Sequence, residues 1–241
     1  MTPHLRIMAI DWSGALHGAT RKIWLCEIVD GTIARLECGR DRAQVEAHLI
    51  TEAQRDANLI VGLDFAFSMP AWFLREQGFA AAHELWDTVA AGAGERWLRE
   101  CTPPFWGRPG RRCPSPDALR PSLRRCDADA GAKPVFQIGG AGAVGTGSLR
   151  GMPMLHRLHA AGFHIWPHDD PGFPLAVEIY PRLLAGPVRK SSRAARERYV
   201  ANHGDGIEPP ILSAATERDD AFDALFSARA MWRHRSALEA L

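Results

Sequence analysis

The chain has 241 residues, 46% hydrophobic and 24% charged, with a net charge of +1. That composition excludes a disordered, fibrous or collagen-like chain, and the length suits one α/β domain burying about 70% of its unfolded surface without staples. Five cysteines (26, 38, 101, 113 and 126) without a C-x-x-C pair argue against a disulfide framework and point to reduced thiols in a cytoplasmic protein, while no apolar run reaches the roughly 18 residues of a membrane span or forms a signal-peptide core before Asp11.

In chain order, Leu5–Ile10 is a short apolar run that ends at Asp11, and Trp12-Ser13-Gly14 follows as a turn. Lys22–Val29 and Thr32–Cys38 are rich in β-formers and flank Asp30-Gly31, a two-residue hairpin signal because both turn positions need positive φ. Arg42–Ala57 carries Ala43, Val45, Leu49, Ile50 and Ala53 near helical spacing. Leu59–Leu63 is a second wholly apolar run, ended by Asp64. Strands apolar on both faces are central and parallel. If these two are neighbours, Asp11 and Asp64 lie side by side at the carboxyl edge, where open α/β sheets place their ligands.

Pro70–Glu100 reads as helical, with Pro70 suited to a first helical position. An insertion rich in proline, arginine and glycine follows at about 101–147. Its Phe105–Arg125 segment holds six arginines against Asp117. Arg189–Arg198 is a second basic run, with five basic residues against Glu197, so the rest of the chain is acidic. Basic patches on a nearly neutral protein suit an anionic partner. Val135–Ile138 is a strand candidate before Gly139–Gly147. Leu149–Ala161 reads as a helix closed by Gly162, Phe163–Trp166 and Leu175–Ile179 as strands, and Ser191–His203 and Glu217–His234 as helices.

The acids carry the functional argument. Asp220 and Asp223 are three apart and share a helix face. First-turn acids offset the helix macrodipole, and Thr216 with Asp219 has the spacing of a capping box. Asp223 does not fit that role, because it lies beyond the first turn inside Ala221-Phe222-Asp223-Ala224-Leu225-Phe226. A carboxylate on a core-facing side needs a partner or a cation. Glu178, inside Leu175-Ala176-Val177-Glu178-Ile179-Tyr180-Pro181, raises the same question, with Arg182 as a candidate partner. Converging oxygen ligands suit Mg²⁺ or Mn²⁺.

Four pieces in this order, Ala9-Ile10-Asp11-Trp12-Ser13-Gly14, Gly62-Leu63-Asp64-Phe65-Ala66-Phe67-Ser68, Val177-Glu178-Ile179-Tyr180-Pro181 and Asp219-Asp220-Ala221-Phe222-Asp223-Ala224-Leu225, make the chain similar to a bacterial and archaeal family of predicted nucleases with an RNase H-like fold. The resemblance implies a single RNase H-like domain over 1–241, three antiparallel strands then helix-linked parallel ones, with the insertion at 101–147. It implies metal ligation by Asp11, Asp64, Asp220 and Asp223, Glu178 at a further family position, and metal-dependent hydrolysis of nucleic-acid phosphodiester bonds. Arg108, Arg111, Arg112, Arg124 and Arg125 would contact phosphates irrespective of sequence, with Trp106 a stacking candidate beside them.

Two other readings compete. Gly140-Ala141-Gly142-Ala143-Val144-Gly145 fits G-x-G-x-x-G, with Asp169 24 residues on, as in a nucleotide- or phosphate-binding protein that uses Gly140 and Gly142 to admit a phosphate, dinucleotide-binding or phosphotransferase-like. Alternatively the acids hold a structural cation in a non-catalytic binding module. Trp72, Trp86 and Trp97 are core candidates, and the helical spacing of His156 and His159 makes them packed or solvated histidines before metal ligands.

Overall fold

The computed structural model describes residues 4–113, 115, 122–186 and 188–241. Pro114, Pro116, Asp117, Arg120 and Pro121 of the insertion therefore lie outside the described residues. The strands are β1 (Arg6–Asp11), β2 (Trp24–Val29), β3 (Thr32–Cys38), β4 (Leu59–Leu63), β5 (His164–Ile165) and β6 (Leu175–Glu178). The α-helices are α1 (Arg42–Arg55), α2 (Ala71–Glu76), α3 (Ala82–Thr88), α4 (Gly94–Glu100), α5 (Arg125–Ala130), α6 (Gly145–Ala160), α7 (Pro181–Leu184), α8 (Arg193–His203), α9 (Pro209–Glu217), α10 (Asp219–Arg233) and α11 (Arg235–Leu238). None is long and apolar enough to cross a membrane. The chain divides into two compact units, one of Met1–Ser13, His17–Asp64 and Gly162–Leu241, the other of Gly14–Leu16 and Phe65–Ala161.

The first unit is built on a six-stranded mixed sheet of order β3-β2-β1-β4-β6-β5. β1, β2 and β3 are antiparallel neighbours, whereas β4, β6 and β5 continue the sheet in parallel with β1. The β2–β3 hairpin turns through Asp30 and Gly31, whose φ values of 47° and 87° match the Asp-Gly signal. Alternation then assigns the two faces. Ile7 and Ala9 of β1, Ile60 of β4, and Leu175 and Val177 of β6 share one core cluster with Phe222, Leu225 and Phe226 of α10. Gly62 lies on the same face, where a Cβ would stand 2.6 Å from the Met231 sulfur and 2.8 Å from Ile179 Cγ2. The glycine thus lets α10 come down onto the middle of the sheet.

The opposite parity of β1 includes Arg6, which reaches Glu52 of α1 and donates to Glu27 Oε1 on β2 from Nε at 2.9 Å and Nη2 at 2.6 Å. Arg35 Nε donates to the other Glu27 oxygen at 2.6 Å. Arg6, Glu27 and Glu52 are all buried. Removing one member of a buried ion network strands the rest, so Glu27→Ala should cost about 3–5 kcal/mol of unfolding free energy in urea titrations. A loss under about 1 kcal/mol would show that Arg6 finds water instead.

The second unit packs around aromatic rings. Phe73 lies 5.3 Å from Phe136, 5.5 Å from Trp97 and 5.9 Å from both Trp72 and Phe105, centroid to centroid. Trp86 is buried and its indole N–H donates to Phe67 O at 2.7 Å. Several boundaries differ from the sequence expectation. Pro70–Glu100 is not one helix, because Gly78 (φ 78°) and Gly92 (φ 107°) interrupt it. Val135–Ile138 is not a strand; its ladder pairing is a single bridge between Trp106 and Gln137. Trp106 is buried against Phe136 and is no exposed stacking platform. Thr216 belongs to α9 and does not cap α10, whose N-cap is Arg218.

Candidate metal centre

The acids converge for reasons of register. Ile10 of β1 pairs with Leu63 of β4, and Asp64 N–H donates to Ile10 O at 3.1 Å, so Asp11 and Asp64 stand side by side at the carboxyl edge. Asp11 has the parity of Ile7 and Ala9, and Asp64 that of Ile60 and Gly62. Both side chains therefore leave the sheet on the face that α10 covers. From α10, Asp223 enters among Phe222, Ala224 and Leu225; Asp11 is 7% exposed and Asp223 4%. Asp220, one turn earlier, is half-buried.

Glu178 falls on the other side. It is paired in register with Leu63, and alternation along β6 turns it away from the Leu175 and Val177 face. Its charge still raises the affinity of Asp64 for its proton.

The electrostatics follow from burial. Desolvation pushes Asp11 well above the usual carboxylate range, and the charges of Asp64, Asp223 and Asp220 push the same way. Asp64 is pushed up to about 7, by burial first and the charge of Asp223 second. Asp223 is pushed up to about 6, again by burial, against the downward pull of Lys190. Asp220 is raised by burial and by Asp219. The Asp11 carboxyl acts in the opposite sense on Asp64, as the smallest of the influences on it, and partly offsets the upward push.

The ammonium of Lys190 donates to Asp223 Oδ2. Burial opposes the charge on Lys190, but Asp223, Asp11 and Asp64 together raise its pKa. The other oxygen, Asp223 Oδ1, is buried and has no hydrogen-bond partner among the described residues. One ammonium thus faces two buried carboxyls, Asp11 and Asp223, and two half-buried ones, Asp64 and Asp220. Among the described residues, no three of these acids place oxygens mutually within 4.8 Å. The lysine holds Asp223 in an ion pair where a closer set of carboxylates would need a stronger cation.

Lys190 is itself positioned. The buried Arg196 guanidinium donates to Lys190 O, to Thr216 O at 2.9 Å and to Glu217 O at 3.1 Å. It ties the 189–192 segment to the last turn of α9, where unsatisfied carbonyls favour a cation. The second basic run is therefore largely committed to the protein: Lys190 to Asp223, Arg193 to Glu197 at 3.0 Å, and Arg196 to backbone. Sequence reasoning placed Lys190 only within a phosphate-seeking patch; its 33-residue separation from Asp223 carried no local signal.

The remaining candidates sit in the second unit. Arg124 is paired with buried Asp127 at 2.7 and 2.8 Å. Arg108, Arg111, Arg112 and Arg125 are exposed and make no ion pair among the described residues. Gly140 and Gly142 take φ values of 79° and 75°. The Gln137 amide donates to the carbonyls of Gly139 (3.3 Å) and Ala141 (3.1 Å), and Gly145 N–H to Gln137 O at 3.0 Å. The loop enters α6 without a preceding strand, so it lacks the strand–turn–helix frame of a dinucleotide fingerprint. His156 Nδ1 lies 2.6 Å from Asp87, and the His159 ring centroid 4.5 Å from that of His83.

No family model, curated protein or solved structure matches the chain.

The raised acids fix the sign of the pH response. Carboxyls whose folded pKa exceeds the unfolded value of about 3.9 stabilise the fold fully below that value, and the contribution is lost as pH rises through the folded pKa. The window set by Asp223 and Asp64 centres on about 6 and about 7. In EDTA, the melting temperature should fall between pH 5.5 and 8, and Mg²⁺ should restore more of it at pH 8 than at pH 5.5. A flat profile in both conditions would mean that the three acids do not titrate as a buried group.

Proposed function

We propose that the chain is a metal-dependent nuclease with an RNase H-like fold, whose Asp11, Asp64, Asp223 and Asp220 hold Mg²⁺ or Mn²⁺. The observation that carries this reading is the buried Oδ1 of Asp223, without a hydrogen-bond partner among the described residues, beside the buried Asp11 and the half-buried Asp64, whose charge one ammonium does not balance. The donor set fits a hard divalent ion, since it offers carboxylate oxygens and neither thiol nor imidazole. Three antiparallel strands followed by parallel ones, with acids at the carboxyl ends of β1 and β4, support the fold assignment.

A divalent ion bound there supplies Lewis-acid polarisation of a phosphoryl oxygen and a hydroxide at neutral pH. Asp11 and Asp64, adjacent on parallel strands, give a ligand pair fixed by the sheet rather than by a loop. Asp223 would join them from a helix through its buried Oδ1, and through Oδ2 once Lys190 releases it. The Lys190 side chain, 40% exposed, can then turn toward solvent, where its ammonium would meet a substrate phosphate. Asp220 orients a water or a ligand. Arg108, Arg111, Arg112 and Arg125 contact phosphates without reading sequence, so affinity should fall steeply with salt.

The test is cleavage of single-stranded, duplex, RNA–DNA hybrid and branched substrates with Mg²⁺ or Mn²⁺. Asp11→Asn should lower turnover by a factor of about 100 or more, the scale of losing one electrostatic group at a reacting centre. Turnover unchanged in that variant would place the chemistry elsewhere.

A further inference from the structure

A cleft of about 220 Å³ opens between α8 and α10, lined by Tyr199, Asn202, His203, Asp205, Arg229 and Arg233, with Phe226 as its floor. It is separate from the acid cluster: at 1.5 Å per residue, Arg229 and Arg233 lie about 9 and 15 Å beyond Asp223 along α10. We propose that this cleft binds a sugar phosphate, free or as the end of a nucleotide, and it does so independently of the metal chemistry proposed above.

Charge and hydrogen-bonding capacity select that class. Arg229 and Arg233 are four residues apart and share one face of α10. Among the described residues, the only acid in the lining is Asp205. Arg229 is oriented by one bond, Nη1 to His203 O, which leaves the other edge of its fork available. Arg233 makes no hydrogen bond or ion pair among the described residues. Both guanidiniums act on the Tyr199 hydroxyl, lowering a pKa that burial raises, so they lie near the aromatic wall. Two guanidiniums suit a phosphate, whose oxygens match their fork. Asp205 and Asn202 bring an acceptor-only carboxylate and an amide, which suit the hydroxyls of a polyol better than a bare anion.

The walls are rigid and the volume is small. Tyr199 and His203 stack at 4.0 Å with an interplanar angle of 13°, and Tyr199 meets Phe222 and Phe226 edge-on at 5.2 and 4.8 Å. His203 Nδ1 lies 2.9 Å from Tyr199 O, which fixes the ring on its own helix. A cleft of this size falls below the roughly 300 Å³ at which drug-sized ligands begin. It accommodates a phosphate with its sugar and leaves a base at the mouth, against the exposed face of His203.

Calorimetric titration of the full chain in EDTA at low ionic strength, with ribose 5-phosphate, AMP, inorganic phosphate and ribose as probes, tests the site. Ribose 5-phosphate should saturate one site, with phosphate and ribose at least about tenfold weaker. Arg233→Ala, at an exposed position, should weaken it between about tenfold and a hundredfold, the worth of a charge-assisted hydrogen bond, with Mn²⁺ binding unchanged. AMP tighter than ribose 5-phosphate assigns the site to a nucleotide end, and equal affinities assign it to a free sugar phosphate. Three results overturn the proposal: no saturation by either ester, equal affinity in Arg233→Ala, or inorganic phosphate binding as tightly as the esters.

Discussion

Asp11→Asn should make the metal-free protein more stable while removing its response to divalent ions. At pH 8 the native state holds Asp11, Asp64 and Asp223 together against burial and mutual repulsion, with Lys190 as the compensating charge. An asparagine is nearly isosteric and carries no charge, so it removes Asp11's share of the repulsion on Asp64 and Asp223. Relief of about 1 kcal/mol raises the melting temperature of a chain of this length by roughly 2–4 °C. Mg²⁺ and Mn²⁺, which should stabilise the wild type according to the ratio of concentration to dissociation constant, should leave the variant unmoved. Differential scanning calorimetry in EDTA and in 10 mM metal gives both numbers. A variant less stable than wild type in EDTA would mean that Asp11 is held by favourable contacts and is not under strain.

Lys190→Met should have the reverse signature. Removing the ammonium leaves Asp223 buried and, among the described residues, without a partner on either oxygen. Losing one member of a buried pair costs about 3–5 kcal/mol, and the 40% exposure of the lysine side chain reduces that to about 1–3 kcal/mol through screening. The loss should be largest in EDTA at pH 8 and smaller at pH 5.5, below the value of about 6 at which Asp223 titrates. Because the lysine and a metal compete for the same carboxylate, Mn²⁺ affinity should rise by about tenfold, or 1.4 kcal/mol. Titration monitored by Mn²⁺ paramagnetic resonance reads this directly. If affinity falls instead, Lys190 organises the ligands and does not compete with the ion.

These expectations differ in how far the sequence anticipated them. The runs ending at Asp11 and Asp64 were legible because β1 and β4 are buried on both faces and so are continuously apolar. Asp223 was legible because a charge inside Ala221–Phe226 breaks the pattern of a helix that lies on a sheet. The parity that sends Asp11 and Asp64 toward α10, and Glu178 away from it, needed the register between strands, which no single run contains. Lys190 was not legible as a partner, because the loop that holds it depends on Arg196 reaching the end of α9. Helix α9 was itself unread: Pro209 and Pro210 look like a break, yet proline fits the first turn, where the missing N–H has no acceptor to lose. Arg196 and Arg124 read as surface charge, whereas both are turned onto groups of the chain itself.

The arginines that remain exposed, Arg108, Arg111, Arg112 and Arg125, show why a charged run is a poor guide to its use. Composition places the charge, but only the fold decides which guanidiniums are consumed by carbonyls and carboxylates before a ligand arrives.

The most direct test is an anomalous-difference map from crystals soaked in Mn²⁺ at pH 8. A peak at about 2.0–2.3 Å from oxygens of Asp11, Asp64 and Asp223, with the Lys190 ammonium moved off Asp223, is the predicted result. A map with no density at these three carboxylates, and Lys190 still bonded to Asp223 at saturating Mn²⁺, would contradict it.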